Sequence, residues 1–155
     1  MRYLAIDLGD KRTGLALGDR ETGLVSPLEV IECGIGADGG KALRRMLIAA
    51  IENHLGAATS GSKHVLVIGL PLNMDGSEGP QAKKCRGFGE AIAQQTGRTV
   101  VYHDERLTSV EADWSMSRSG MTRGQKKQKR DALAAAAILR DSFVSLGAGG
   151  AGGAG

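Results

Sequence analysis

Tyr3-Leu4-Ala5-Ile6-Asp7-Leu8-Gly9, the turn Asp10-Lys11, and Arg12-Thr13-Gly14-Leu15-Ala16-Leu17-Gly18 open the chain. Both apolar runs read as strands, and the short turn between them makes them a hairpin. Side chains alternate along a strand, so Leu4, Ile6 and Leu8 share one face and Tyr3, Ala5 and Asp7 the other. Asp7 therefore stands in a segment that otherwise reads as buried. A carboxylate there is costly unless something neutralises it. A bound metal cation does so most directly. The plainer explanations are a core arginine beside it, or a strand that ends sooner than it looks.

Outward from the hairpin, Leu24 to Glu32 reads as a third strand, and its Pro27 points to a sheet edge or a bulge. Gly34 to Gly40 reads as a loop. Lys41 to Leu55 carries Leu43, Leu47, Ala50 and Ile51 at helical spacing. A linker of small residues, Gly56 to Ser62, leads to His64–Leu70, an apolar run expected of a strand covered on both faces. The loop Pro71 to Gly79 is rich in turn residues. Pro80 suits the first turn of a second helix, with Ala82, Cys85, Phe88 and Ile92 on one face and Gly97 as its C-terminal cap. Thr99 to His103 is a fifth strand that runs into Asp104-Glu105-Arg106. Thr108-Ser109-Val110-Glu111 matches a capping box and predicts a helix start. Ser119 to Gln128 lacks apolar periodicity and reads as a flexible loop. A last helix is expected from about Lys129 to Leu146, with Ala132, Ala136, Leu139, Phe143 and Leu146 as its stripe. The remainder, 147–155, is only Gly and Ala and reads as a disordered tail.

Strands joined by short turns should pair antiparallel, and strands separated by helices should join in parallel through crossovers. The expected fold class is α/β: a mixed five-stranded sheet, its first three strands antiparallel and the later ones parallel, with helices on both faces. One domain, 1–146, accounts for it.

The totals agree. The chain has 155 residues, 41% apolar and 24% charged, as an ordinary globular domain does. Aromatics are only 3%, which argues against a stacking platform for single strands. Cys33 and Cys85 are far apart, match no metal spacing, and read as reduced thiols of a cytoplasmic protein. No stretch is apolar for long enough to span a bilayer, and no signal peptide precedes the first strand. Net charge is +3, but Arg118, Arg123, Lys126, Lys127, Lys129 and Arg130 concentrate +6 in a segment without an acid, which leaves the rest at −3. A localised basic patch on a slightly acidic body suggests a polyanionic partner, against the plainer reading of a solvated basic loop.

Three further carboxylates stand out. Asp104 and Glu105 end the fifth strand. Alternation puts Glu105 on the face of Val101 and His103 and turns Asp104 away, so one of the two joins Asp7 and Glu105 is the choice. Asp131 follows the basic segment at the start of the last helix, where the plain reading is a carboxylate favoured by the helix dipole. Carboxylates in a strand, at a strand end and at a helix start can converge on one point. Hard divalent cations want such oxygen ligands, and one or two of them can activate water on a phosphodiester. His54, His64 and His103 show no zinc spacing. Asn73, in the loop after the fourth strand, is placed to touch a phosphate or simply to make a turn.

Ala5-Ile6-Asp7-Leu8-Gly9 with Arg12-Thr13-Gly14-Leu15-Ala16, then Gly69-Leu70-Pro71-Leu72-Asn73-Met74-Asp75-Gly76-Ser77, then Asp104-Glu105-Arg106-Leu107-Thr108-Ser109, together resemble the YqgF family, also called RuvX. The match is collinear over about residues 1 to 146. Lys129-Arg130, where a more apolar helix start is expected, and the Gly/Ala tail depart from it. The resemblance implies a ribonuclease H-like fold and a metal-dependent endonuclease. It implies maturation of the 5′ end of pre-16S rRNA in ribosome biogenesis or resolution of Holliday junctions. It implies Asp7, Glu105 and Asp131 as the acidic triad, holding one or two Mg²⁺ or Mn²⁺ ions. The nucleic-acid contacts are expected at Lys11, Arg12, Asn73, Arg106, Arg123, Lys126, Lys127, Lys129 and Arg130. The partner is then precursor rRNA or branched DNA, with ribosomal particles as a further partner, no membrane, and a monomer or homodimer. Two other classes compete. An ATP-binding phosphotransferase of the sugar kinase and actin type shares the Asp-Leu-Gly motif but needs two such domains. A non-catalytic RNA-binding module would keep the fold without joint metal binding by the carboxylates.

Overall fold

The computed structural model describes residues 2–56, 64–105 and 123–153, and in the last helix the side chains of residues 130–145. Five strands, β1 (Arg2–Leu8), β2 (Thr13–Asp19), β3 (Val25–Ile31), β4 (Val65–Leu70) and β5 (Thr99–Asp104), form one sheet in the order β3-β2-β1-β4-β5. The first three pair antiparallel, and β4 and β5 join in parallel. That is the mixed sheet expected from the spacing of turns and helices. β3 is an edge strand, and the register of β2 with β3 shifts between Leu15 and Ala16, opposite Glu29 and Pro27. Proline lacks the N–H that a central ladder needs, so its residue sits at an edge and next to the irregularity.

Among the described residues three helices cover the sheet: α1 (Lys41–Leu55), α2 (Pro80–Thr96) and α3 (Arg123–Gly153). The stretch Ala37–Gly40, expected as loop, forms a short 3-10 turn ahead of α1. Leu4, Ile6 and Leu8 of β1 pack with Leu43, Leu47 and Ile51 of α1 and with Cys85, Phe88 and Ile92 of α2. Tyr3 and Ala5 pack on the other face with Ala16, Val67 and the α3 residues Ala135, Ala136, Ile138 and Leu139. The alternation of β1 thus sorts its side chains between two cores, and Asp7 falls on the α3 side. β4, with Leu66 and Ile68 in one core and Val67 in the other, is covered on both faces. Phe143 meets Tyr3 edge-on, ring centroids 5.2 Å apart, and anchors the far part of α3. α2 ends at Gly97, whose φ of 69° is the left-handed conformation that favours glycine at this cap.

The last helix differs from its expected limits. It is helical from Arg123, not from about Lys129, and it continues through Leu146 to Gly153 into the run read as a disordered tail. Gln, Lys and Arg are good helix formers, so the first turns hold by propensity where no apolar stripe exists to reveal them. Beyond Leu146 each added residue gains one backbone hydrogen bond from a helix already nucleated. The helix expected to begin at Thr108 lies outside the described residues.

Candidate active site

Parallel strands β1, β4 and β5 end at the same edge of the sheet, and the candidate carboxylates lie there. β1 supplies Asp7, which pairs in register with Gly14 of β2. A Cβ added at Gly14 would collide with the backbone carbonyl of Asp131. Only glycine lets α3 lie that close to β2, and this approach sets Asp131 beside Asp7. Gly69 of β4 does the same for Glu105. A Cβ there would stand 2.5 Å from Glu105 Oε1 and 2.7 Å from its Cγ. The glutamate therefore folds across β4, from the end of β5 to β1, where it hydrogen-bonds the Asp7 carboxyl.

The electrostatics follow from this crowding. Burial raises the Asp7 pKa, the hydrogen bond from Glu105 opposes the rise, and the nearby charge of Asp131 adds to it. Glu105 is pushed up to about 8 by burial first, then by the charge of Asp7, by its hydrogen bond to Asp7, and by Asp104. The bond favours ionised Asp7 and protonated Glu105, so Glu105 donates and Asp7 accepts. Asp131 is satisfied differently, with its Oδ2 3.4 Å from Arg12 Nε at the rim. Among the described residues no three His, Cys, Asp or Glu side chains are spaced to hold a metal ion together. The three carboxylates share one edge without closing on a point. Their mutual repulsion is eased in part by the hydrogen bond between Glu105 and Asp7 and by Arg12 beside Asp131.

That donor set nonetheless fits a hard cation. It offers carboxyl oxygens only, from two half-buried acids in contact whose ionisation is held back and from Asp131 beside them. A divalent cation would take the place of the proton and the guanidinium.

Around the carboxylates, Lys11 is exposed in the β1–β2 turn, and Arg12 adjoins the site through Asp131. Asn73 lies in the turn after β4 at the same edge, its Nδ2 donating to Ser77 Oγ at 3.0 Å. Asp75 Oδ1 accepts from the Ser77 hydroxyl at 2.6 Å and its backbone N–H at 2.9 Å, so this turn is built by its own side chains. Arg130 is exposed on α3 next to Asp131. Arg123, Lys126, Lys127 and Lys129 fall in the first two turns of α3. α3 runs from Gly14 towards Gly18 of β2, since Leu139 meets Gly18 as Asp131 meets Gly14. Its axis therefore carries the basic turns, about 12 Å of helix, out past the site edge. Arg106 and Arg118 lie outside the described residues.

Alternation places Asp104 on the face of Val100 and Tyr102, away from α3. The histidines are engaged elsewhere. His103 Nε2 lies 2.6 Å from Asp141 Oδ2, His54 Nε2 3.0 Å from Glu29 Oε2, and His64 Nδ1 accepts from the Arg2 N–H at 3.2 Å. Burial pushes the Cys85 thiol up to about 12, which leaves no nucleophilic thiolate there. The sequence reading missed Gly14 and Gly69 as the residues that bring the carboxylates together. Their only sequence signal is a glycine inside a strand.

The fold and this edge define a ribonuclease H-like domain with an acidic cluster at the ends of its parallel strands. The family model that matches, described as RuvX, Holliday junction resolvase, covers residues 1–145. The chain belongs to this family. A relative from Anaeromyxobacter sp. (strain Fw109-5), which carries the provisional name of a pre-16S rRNA nuclease, is 39% identical over 90% of this chain and 94% of its own. Among solved structures, the fowlpox virus resolvase with Holliday junction DNA superposes with a TM-score of 0.59 at 12% identity, over 94% of this chain and 99% of that one. RuvC of T. thermophilus with its Holliday junction substrate gives 0.53 at 14% identity, over 94% of this chain and 95% of that one. At such identities the likeness is one of fold.

Proposed function

We propose that this protein is a metal-dependent endonuclease that hydrolyses phosphodiester bonds in structured nucleic acid, and that its substrate is the 5′ end of precursor 16S rRNA. The observation that carries the proposal is the contact of Glu105 with Asp7, Asp131 beside them, at the strand-end edge where α/β sheets place ligands. Asp7, Glu105 and Asp131 would hold one or two Mg²⁺ or Mn²⁺ ions. Such an ion supplies Lewis-acid stabilisation of charge developing on the phosphate and acidifies water.

The chain's own residues do the rest. Glu105 gives up the proton it shares with Asp7. Arg12, released from Asp131, turns its guanidinium to a phosphate oxygen, a geometry to which its planar fork is suited. Lys11, Asn73 and Arg106 would hold the backbone near the scissile bond, and Arg123, Lys126, Lys127, Lys129 and Arg130 would grip it beyond. The nuclease domain is 1–146, the remainder lying past the family match. No helix among the described residues is long and apolar enough to cross a membrane, and a nuclease of ribosomal RNA works in the cytoplasm.

A second reading, cleavage of four-way DNA, is favoured by the family's description. Purified precursor rRNA and a synthetic four-way junction, incubated side by side with and without Mg²⁺, separate the two. The rRNA reading expects Mg²⁺-dependent cutting of the precursor with the junction spared. Preferential cutting of the junction establishes the second reading. Binding of RNA with neither substrate cut points to a non-catalytic module.

A further inference from the structure

The opposite face of the sheet carries a second concentration of positive charge. Two adjoining clefts open between α1 and α2, of ≈ 360 and ≈ 190 Å³. Lys41, Arg44 and Arg45 of α1 line the larger, together with Asp38. Arg44 is shared with the smaller, which Lys84 of α2 and the Gly39-Gly40 turn complete. Four cations thus face one carboxylate, a net +3 in one groove. Among the described residues none of the four is ion-paired. Neither α1 nor α2 has an acid in its first turn, so these cations serve no helix-dipole balance. Lys41 and Arg44, in the first turn of α1, stand instead where the dipole disfavours positive charge.

The groove is joined to the catalytic edge by a short rigid path. The Ile35 N–H donates to the Gly9 carbonyl at 2.9 Å, and the backbone at Gly34 lies against the carbonyl of Asp10. The loop that leads into the groove is therefore fastened to the very turn that carries Lys11 and Arg12. Lys11 and Arg12 stand on that turn, and Lys41, Arg44, Arg45 and Lys84 line the cleft to which the loop leads.

We infer that the α1–α2 groove is a second nucleic-acid contact, taking the phosphate backbone of a substrate arm that flanks the cleavage point. The inference rests on the nuclease reading above. The charged lining is chiefly lysine and arginine, and the aromatic ring there, Phe88, is buried in the core, so the groove grips phosphate and reads no bases, and its contribution is independent of sequence.

The test uses the full chain and the variant Lys41→Gln, Arg45→Gln, Lys84→Gln, three exposed positions outside the carboxylate site. Binding is measured against salt for a short substrate that spans only the cleavage point and for one extended by a duplex arm. The parent should bind the extended substrate more tightly and with a steeper salt dependence. The variant should lose that gain and flatten the slope by up to about 2.7 log units per log unit of salt, 0.9 for each phosphate contact removed. It should match the parent in binding and cutting the short substrate, and in unfolding temperature. Equal affinities and slopes for parent and variant on the extended substrate overturn the groove while leaving the nuclease reading in place. A parent that binds and cuts neither substrate overturns both.

Discussion

Asp7 stands at the centre of the site's electrostatics. It is half-buried, and its carboxyl accepts a hydrogen bond from Glu105 and lies in the field of Asp131. Asp7→Asn removes one of three crowded acids and keeps the shape. It should abolish cleavage while leaving the unfolding temperature unchanged or raised, with circular dichroism reporting the intact fold. Glu105 gives a pH signature in the metal-free protein. Its pKa rises from an ordinary 4.5 to about 8 on folding, so between those values the folded state holds a proton that the unfolded chain has released. Stability should therefore fall as pH rises from about 4.5 to about 8. Unfolding temperatures of parent and Glu105→Gln across this window provide the check, and the variant should show the flatter profile.

At the scale of elements, the site depends on how closely α3 and β4 admit their neighbours. Gly14→Ala would push a methyl into the backbone of α3 at Asp131. Overpacking of this kind costs about 1–3 kcal/mol, and here it also draws Asp131 away from Asp7. Denaturant unfolding should show the loss, and cleavage should fall with it. Gly69→Ala meets chiefly the flexible Glu105 side chain and the tip of Ile138, so activity should fall more than stability. In the proposed function the basic residues in the first turns of α3 grip the substrate. Replacing Lys126, Lys127 and Lys129 by alanine should weaken binding similarly for all sequences and flatten the salt slope by up to three steps of about 0.9. Unchanged affinity and slope would reduce these turns to a solvated basic segment.

For the whole molecule, the architecture was largely legible in the residues. The alternation Leu4-Ile6-Leu8 against Tyr3-Ala5-Asp7 foretold two cores on two faces, and both exist. Pro27 foretold the edge strand, and turn and helix lengths foretold which strands are parallel. The alternation of Val101, His103 and Glu105 foretold which acid reaches Asp7. What periodicity could not reveal was the start of α3, because the run from Arg123 to Lys129 has no apolar side chain to set a pattern. Nor could it reveal Gly14 and Gly69 as spacers, since a missing side chain is informative only once its neighbour is known. The pairing of Asp131 with Arg12 was hidden for the same reason: it joins residues from the hairpin and the last helix, brought together only by the packed sheet.

In the proposed function Asp7, Glu105 and Asp131 act as one cation site, and calorimetric titration of Mn²⁺ into the metal-free protein near pH 7 is the test. Glu105, with its pKa at about 8, is mostly protonated there, so binding should release about one proton per site, visible as a dependence of the heat on the buffer. Asp7→Asn, Glu105→Gln and Asp131→Asn should each weaken binding by about tenfold or more, and Glu105→Gln should abolish the proton release. Binding of equal strength in all four proteins, with no proton released by the parent, would contradict the account.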